Sequence, residues 1–260
     1  MISKQQIKTI HSLRLKKYRD QSELFVGEGP KVVAELLQSF ECIYIAALQS
    51  WLDANQTAIP AGVRCETILA EELAKASLLE APQQVIAIFR KLPDTLPTAG
   101  ALQSELCLAL DTVQDPGNLG TILRLARWFG INHVICSPTT ADVYSPKVVQ
   151  ATMGALGKVN VAYTPLPQYL ASMSDEIPIY GTFLDGTNIY DAPLTSHGII
   201  VMGNEGNGIS PETASHITRR LYIPPYPMGS PAIESLNVGV ATAITCAEFR
   251  RRTLSIEHCK

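Results

Sequence analysis

No two cysteines in this chain stand at C-x-x-C spacing. The six (Cys42, Cys65, Cys107, Cys136, Cys246 and Cys259) are scattered. Most lie in apolar runs such as "ELCLALD" and "HVICSP", where a free thiol behaves as a small hydrophobe. Neither a zinc site nor a disulfide framework is expected. His11, His133, His197, His216 and His258 show no metal-ligand spacing either. No apolar run is long enough to span a membrane, and the opening "MISKQQIKTIHSLRLKKYRD" lacks the apolar core of a signal peptide. These absences predict a metal-free cytoplasmic protein in a reducing compartment. There is no G-x-S-x-G nucleophile elbow, no internal repeat and no low-complexity stretch.

What is present suits a globular protein. Of 260 residues, 46% are hydrophobic and 17% charged, enough for a sizeable core in one large domain or two ordinary ones. The net charge of −3 gives no overall pull toward nucleic acid. Local charge differs: residues 1–19 hold Lys4, Lys8, Arg14, Lys16, Lys17 and Arg19 and no acid, which makes a basic face.

The clearest seam is "KLPDTLPTAGALQS", residues 91–104, rich in proline and small polar residues. Before it, a basic amphipathic helix near 3–19, a helix after Pro30, strands "CIYIAAL" and "QQVIAIF" and a helix near 70–79 compose a small α/β domain. After it, strands "LCLALD", "HVICS", "KVNVAY", "IPIYGTF", "GIIVMG" and "RLYIPP" are interleaved with helices, including 119–130, one from Pro146, one near 166–173 and one over 236–252. This alternation predicts a mostly parallel sheet with helices on both faces. In such sheets ligands bind beyond the carboxyl ends of strands.

Three loops fall at such ends. In "LALDTVQDPGNLGTILRLARWFG" the local reading is a turn at Asp115-Pro116-Gly117 with Asn118 capping a helix. Its apolar stripe of Leu119, Ile122, Leu123 and Ala126 leaves Arg124 and Arg127 together on the other side. In "VMGNEGNGIS", Ser210 and Pro211 start a helix, but three glycines around Asn204 and Glu205 exceed what a turn needs. The G-x-x-G-x-G spacing is neither a dinucleotide fingerprint nor a P-loop. In "YIPPYPMGSPAIESLNVGVATAITCAEFRRR", a stiff proline-rich approach reaches a helix N-terminus, with Ser235 read as its cap and Asn237 beside it.

Taken in order, N-x-G-x-x-x-R (Asn118, Gly120, Arg124), then G-N-E-G-x-G, then I-P…S-L-N-V resembles the SpoU (TrmH-like) family of RNA ribose 2′-O-methyltransferases within the SPOUT superfamily. The N-terminal stretch "IHSLRLKKYRDQSELFVGEGPKVVAELL" is similar to the substrate-binding domain often fused to that family. The resemblance implies an RNA-binding domain over 1–95, a linker over 96–104 and a methyltransferase domain over 105–260 containing a trefoil knot. It also implies a homodimer, S-adenosylmethionine as cofactor and structured RNA as substrate, with ribosomal RNA ahead of transfer RNA. Carried over by position, Gly203, Ile223, Met228, Gly229 and Leu236 contact the cofactor. Asn118, Arg124, Glu205, Ser235 and Asn237 serve catalysis. Arg14, Lys16, Lys17, Arg19 and Arg127 form the RNA surface.

The resemblance makes Arg124 the base that draws off the ribose hydroxyl proton, helped by a substrate phosphate. A guanidinium is almost never deprotonated in proteins, so a bidentate phosphate clamp is physically easier. Glu205 is expected to orient polar groups such as Arg124. This chain departs from the family pattern in a lengthened "IPPYPMGSPAIESLN" and in Gly239, where the family commonly has Ser. Two other readings compete: an RNA-binding module of the same fold without catalysis, and a Rossmann-type nucleotide enzyme. The latter lacks an acid at the end of "HVICSPTTAD" until Asp142.

Overall fold

The computed structural model describes residues 1–227 and 235–257. The chain forms two compact units, Met1–Pro93 with Asp142–Lys158 and Asp94–Ala141 with Val159–Lys260. The first contains α1 (Lys4–Ser12), α2 (Lys16–Ser22), β1 (Leu24–Glu28), α3 (Pro30–Leu36), β2 (Cys42–Ala47), α4 (Gln49–Asn55), β3 (Arg64–Thr67), α5 (Ala70–Ala76) and β4 (Val85–Arg90). Its sheet order is β1-β4-β2-β3, with β4 antiparallel to both neighbours and β2 parallel to β3. One face buries Ile10, Leu13, Ile68, Leu73, Ile86 and Ile88. On β4 the alternate residue Phe89 turns to the other face and stacks with Phe25 at 5.6 Å. Two covered faces account for strands that read as unbroken apolar runs.

The single basic helix expected near 3–19 is two helices. Leu13 ends α1, and Leu15 is extended before α2. The break is held by Arg19, whose guanidinium donates to the carbonyls of Leu13 and Arg14, both at 2.8 Å. Carbonyls left over at a helix end need such donors.

The chain continues through α6 (Ala99–Leu102), β5 (Leu106–Leu110), α7 (Pro116–Trp128) and β6 (His133–Cys136). Helix α8 (Pro146–Thr152) and a 3-10 turn (Ala155–Lys158) belong to the first unit. There Gln150 donates to the Glu28 carbonyl at 2.7 Å, and Tyr144 packs on Phe25 at 4.9 Å. The second unit resumes with β7 (Asn160–Tyr163), α9 (Leu166–Ala171), β8 (Ile179–Phe183), β9 (Thr187–Asn188), β10 (Gly198–Met202), α10 (Pro211–Ala214), β11 (Arg219–Tyr222) and α11 (Val238–Glu257).

Its seven strands run in the order β7-β6-β5-β10-β8-β11-β9, every pair parallel. The expected parallel sheet is present, and β5 and β10 at its centre are buried throughout. The chain winds outward from β5 through β6 to β7, then crosses to β8 on the far side, and β10 fills the gap beside β5. The order therefore reverses between β5 and β10, and a crevice opens at the carboxyl ends of strands at such a switch point. The loops after β5 and β10 meet there. None of the described helices is long and apolar enough to cross a membrane.

Candidate active site

Asp115 caps α7: its side chain accepts from the Asn118 backbone N–H at 2.7 Å, and Pro116 takes the first helical position. Asn118 was expected to be the cap. Proline's fixed φ suits the first turn, which puts the cap one residue before it and leaves the Asn118 side chain free. That side chain is the junction of three loops. Its amide donates to Glu205 Oε1 at 2.9 Å, and its Oδ1 accepts from Asn237 Nδ2 at 2.9 Å.

Asn237, not Ser235, caps α11, accepting from the N–H groups of Gly239 at 2.9 Å and Val240 at 3.3 Å. Both residue types make good caps. The helix begins at Val238, which places Asn237 rather than Ser235 at its threshold. Gly239 is buried, and a Cβ there would lie 3.4 Å from Thr121 Cγ2 on α7. Nothing in the structure explains the glycine where the family commonly has Ser. Ser235 and Leu236 are exposed beside Asn237.

The loop after β10 closes on itself. Asn204 and Gly208 exchange backbone hydrogen bonds at 2.8 and 2.9 Å, while Asn204 Oδ1 accepts from the N–H groups of Gly206 and Asn207. Gly208 has φ +69, and a Cβ on Gly203 would collide with the Gly208 carbonyl carbon and the Ile209 nitrogen. Two of the three glycines are thus needed by the loop's own shape. Gly206 is not: its Cβ would meet only Asn204 Oδ1 at 3.6 Å, so its backbone lies open to a ligand. Ser210 caps α10, with Pro211 at the first position, as expected.

Glu205 pairs with Asn118 and, at 3.4 Å, with Asn204. Its expected partner Arg124 is instead exposed on α7 and makes no hydrogen bond or ion pair among the described residues. Arg127 is exposed on the same helix, one turn on. Ile223 follows β11, half-buried, whereas Met228 and Gly229 lie outside the described residues. No basic side chain falls within residues 203–210. A loop of backbone groups with one carboxylate suits a ligand whose charge is positive.

Two groups escaped the sequence reading. Asp111, at the end of β5, is 4% exposed and accepts from the Ser210 N–H at 2.8 Å and hydroxyl at 2.6 Å. The next residue, Thr112, has φ +61, and its carbonyl accepts from Asn204 Nδ2 at 2.8 Å. The one available signal was an acid closing the apolar run "LCLAL", which many strand ends share.

In the first unit Arg14, Lys16 and Lys17 are exposed, Lys16 pairing with Asp20 at 2.9 Å. Arg19 is a correction: it is 2% exposed and bonded to Asp142 at 2.5 Å, so its charge is spent inside the fold rather than on a surface. A cavity of about 810 Å³ among Tyr180, Thr195, His197 and Arg219 lies at the opposite, amino-terminal ends of β8 and β11, and none of the three loops borders it.

Comparison with known proteins bears on these arrangements. Residues 105–247 match the SpoU rRNA Methylase family, and residues 4–87 match an MRM3-like substrate binding domain. The 23S rRNA (guanosine(2553)-2′-O)-methyltransferase RlmP of Bacillus subtilis is 31% identical over 252 residues, covering 95% of this chain and 96% of that protein. Among solved structures, a TrmH-family protein from Porphyromonas gingivalis is 43% identical, with TM-score 0.88 and coverage of 97% of this chain and 99% of that one. An AdoMet-bound rRNA methyltransferase from Sinorhizobium meliloti is 27% identical, with TM-score 0.83 over 97% of this chain and 96% of that one.

Proposed function

Because the chain belongs to the SpoU rRNA methylase family, we propose that it transfers a methyl group from S-adenosylmethionine to the 2′-hydroxyl of one ribose in ribosomal RNA. The observation that carries this reading is the Asn118 junction, where three distant loops converge at the switch point of a parallel sheet.

S-adenosylmethionine supplies an electrophilic methyl group on a positively charged sulfur. The glycine loop fits it, since the loop has no cation of its own and leaves the Gly206 backbone open. Gly203, Ile223 and Leu236 hold it through backbone contacts, with Met228 and Gly229 of the same stretch assigned by the family resemblance. In-line transfer would break the bond from methyl carbon to sulfur as the bond to ribose oxygen forms, the electron pair leaving with sulfur and the hydroxyl proton passing to a substrate phosphate or to water. The residues of this chain must align that oxygen and ease the loss of its proton.

Arg124 is the group best placed for the first task, and the phosphate it clamps serves the second. Exposed and unpaired among the described residues, it clamps a substrate phosphate bidentately and orients the hydroxyl. Glu205, Asn118 and Asn237 form a fixed polar chain at the first turn of the same helix, α7, and Ser235 adds a hydroxyl at the threshold of α11. Residues 1–95 serve as the RNA-binding domain, using Arg14, Lys16 and Lys17, and Arg127 extends the contact on α7. The family resemblance further implies a homodimer, and the scattered cysteines without C-x-x-C pairs fit a reducing, cytoplasmic compartment. Trp128 at 83% and Val240 at 49% exposure are apolar groups on the packed pair α7 and α11 that a second copy would cover.

Incubation with labelled S-adenosylmethionine and unmodified ribosomal or transfer RNA tests the proposal. Label resistant to alkaline cleavage at one ribose of ribosomal RNA supports it. Labelling of transfer RNA alone moves the substrate, and no transfer to either leaves an RNA-binding module.

A further inference from the structure

The glycine loop is tied down at both ends by two consecutive residues outside the family's three motifs. At its start, Asn204 Nδ2 donates to the Thr112 carbonyl at 2.8 Å. At its end, the N–H and hydroxyl of Ser210 both donate to Asp111 Oδ2, at 2.8 and 2.6 Å. Asp111 Oδ1 accepts from the Thr112 hydroxyl at 3.2 Å, and the Asp111 N–H continues the ladder to the Met202 carbonyl at 2.9 Å. A nearly buried carboxylate serves as the fixed acceptor for the far end of the loop.

Thr112 adds a second, independent sign. A β-branched residue at φ +61 is a backbone outlier that persists only where the surroundings enforce it. Here they do: its N–H donates to Ser137 Oγ at 2.9 Å, and its hydroxyl shares a 2.8 Å hydrogen bond with Thr139. The left-handed turn is what brings the Thr112 carbonyl to Asn204. Strain concentrates where a group must be aimed, and this carbonyl is aimed at the residue beside Glu205.

We propose that Asp111 is a positioning residue for the cofactor: with the strained Thr112 it clamps the loop 203–210 at the height S-adenosylmethionine requires, acting through Ser210. The proposal rests on the cofactor reading given above. Asp111 touches neither cofactor nor RNA, so its removal loosens cofactor binding more than it slows transfer at saturating cofactor.

The experiment is calorimetric titration of the full chain with S-adenosylmethionine, with melting temperature and saturated turnover measured on the same preparations. Asp111→Ala and Ser210→Ala are each expected to weaken binding about tenfold, the scale of one hydrogen bond to a charged group. Combined, they weaken it no further than Asp111→Ala alone, because one interaction has been removed twice. Asp111→Asn keeps an acceptor and restores most of the affinity. Should Asp111→Ala not fold, Ser210→Ala and Asp111→Asn carry the same comparison. Thr112→Gly keeps the carbonyl and relieves the strain, so affinity is retained. Wild-type affinity in Ser210→Ala, or effects that multiply in the double variant, overturns the clamp while leaving the cofactor reading intact. Failure of the wild-type chain to bind S-adenosylmethionine overturns both.

Discussion

Asn118 and Glu205, 87 residues apart along the chain, meet in a 2.9 Å hydrogen bond that joins the first turn of α7 to the glycine loop. The other side of the same amide receives Asn237 from the start of α11. With donor and acceptor both used, the amide is fixed in one orientation, and the carboxylate is fixed with it. Asn118→Ala leaves Glu205 without its strongest neutral donor and cuts the link to α11. Turnover is expected to fall about 10- to 100-fold, the cost of losing a hydrogen bond to a charged group, with cofactor affinity changed far less. Steady-state kinetics alongside calorimetry separates the two; turnover equal to wild type would show that the junction has no part in catalysis.

Arg124 is exposed and, among the described residues, pairs with nothing. Arg124→Ala should abolish transfer while leaving cofactor affinity nearly intact. Arg124→Lys should recover little, since an ammonium cannot reproduce a planar two-point grip on a phosphate. If cofactor affinity collapses in Arg124→Ala, the residue holds the fold rather than the substrate.

Arg19 and Arg14 differ by five positions and have opposite fates. Arg19→Ala strands Asp142 and two carbonyls at the end of α1, and should cost about 2–3 kcal/mol of stability in a denaturant melt. Arg14→Glu or Lys17→Glu should leave that melt unchanged. Either should weaken RNA binding and flatten its dependence on salt, because phosphate contacts release counterions. A salt dependence identical to wild type in both variants would remove these residues from the RNA surface.

Glu28 is buried in the first unit, and burial pushes its carboxyl above the ordinary value of 4.5 despite hydrogen bonds from Ser77 and Leu78. The folded value exceeds the unfolded one, so the stabilising contribution of the protonated form is complete below pH 4.5. It is lost as pH rises through the raised value. Glu28→Gln removes that loss, since the Ser77 hydroxyl can reverse to accept from the amide. Melts from the acid range to neutrality should therefore show wild type losing ground to the variant as pH rises. A difference that stays flat with pH contradicts the assignment.

Much of the second unit was legible in the sequence because its signals are local. Apolar runs such as "LCLAL" and "GIIVM" mark strands buried on both faces, and Leu119, Ile122, Leu123 and Ala126 spell the buried stripe of α7. The ordered motifs located Asn118, Glu205 and Asn237, which the fold brings together. What escaped depends on partners far along the chain. Arg19 reads as a surface charge until Asp142, 123 residues on, draws it inside. Asp111 reads as an ordinary strand end until Ser210 arrives, 99 residues on. The caps of α7 and α11 were misread because two suitable residues stand close together at each, and only the first helical turn decides between them. β1, β3 and α4 are short and were not anticipated.

The most direct test of the account is a map of 2′-O-methyl groups in ribosomal and transfer RNA from cells lacking this protein. The same map would be taken after restoring either the wild-type chain or Arg124→Ala. The account predicts that one ribose in ribosomal RNA loses its methyl group, that the wild-type chain restores it and that Arg124→Ala does not. A ribosomal RNA map identical with and without the protein would contradict it.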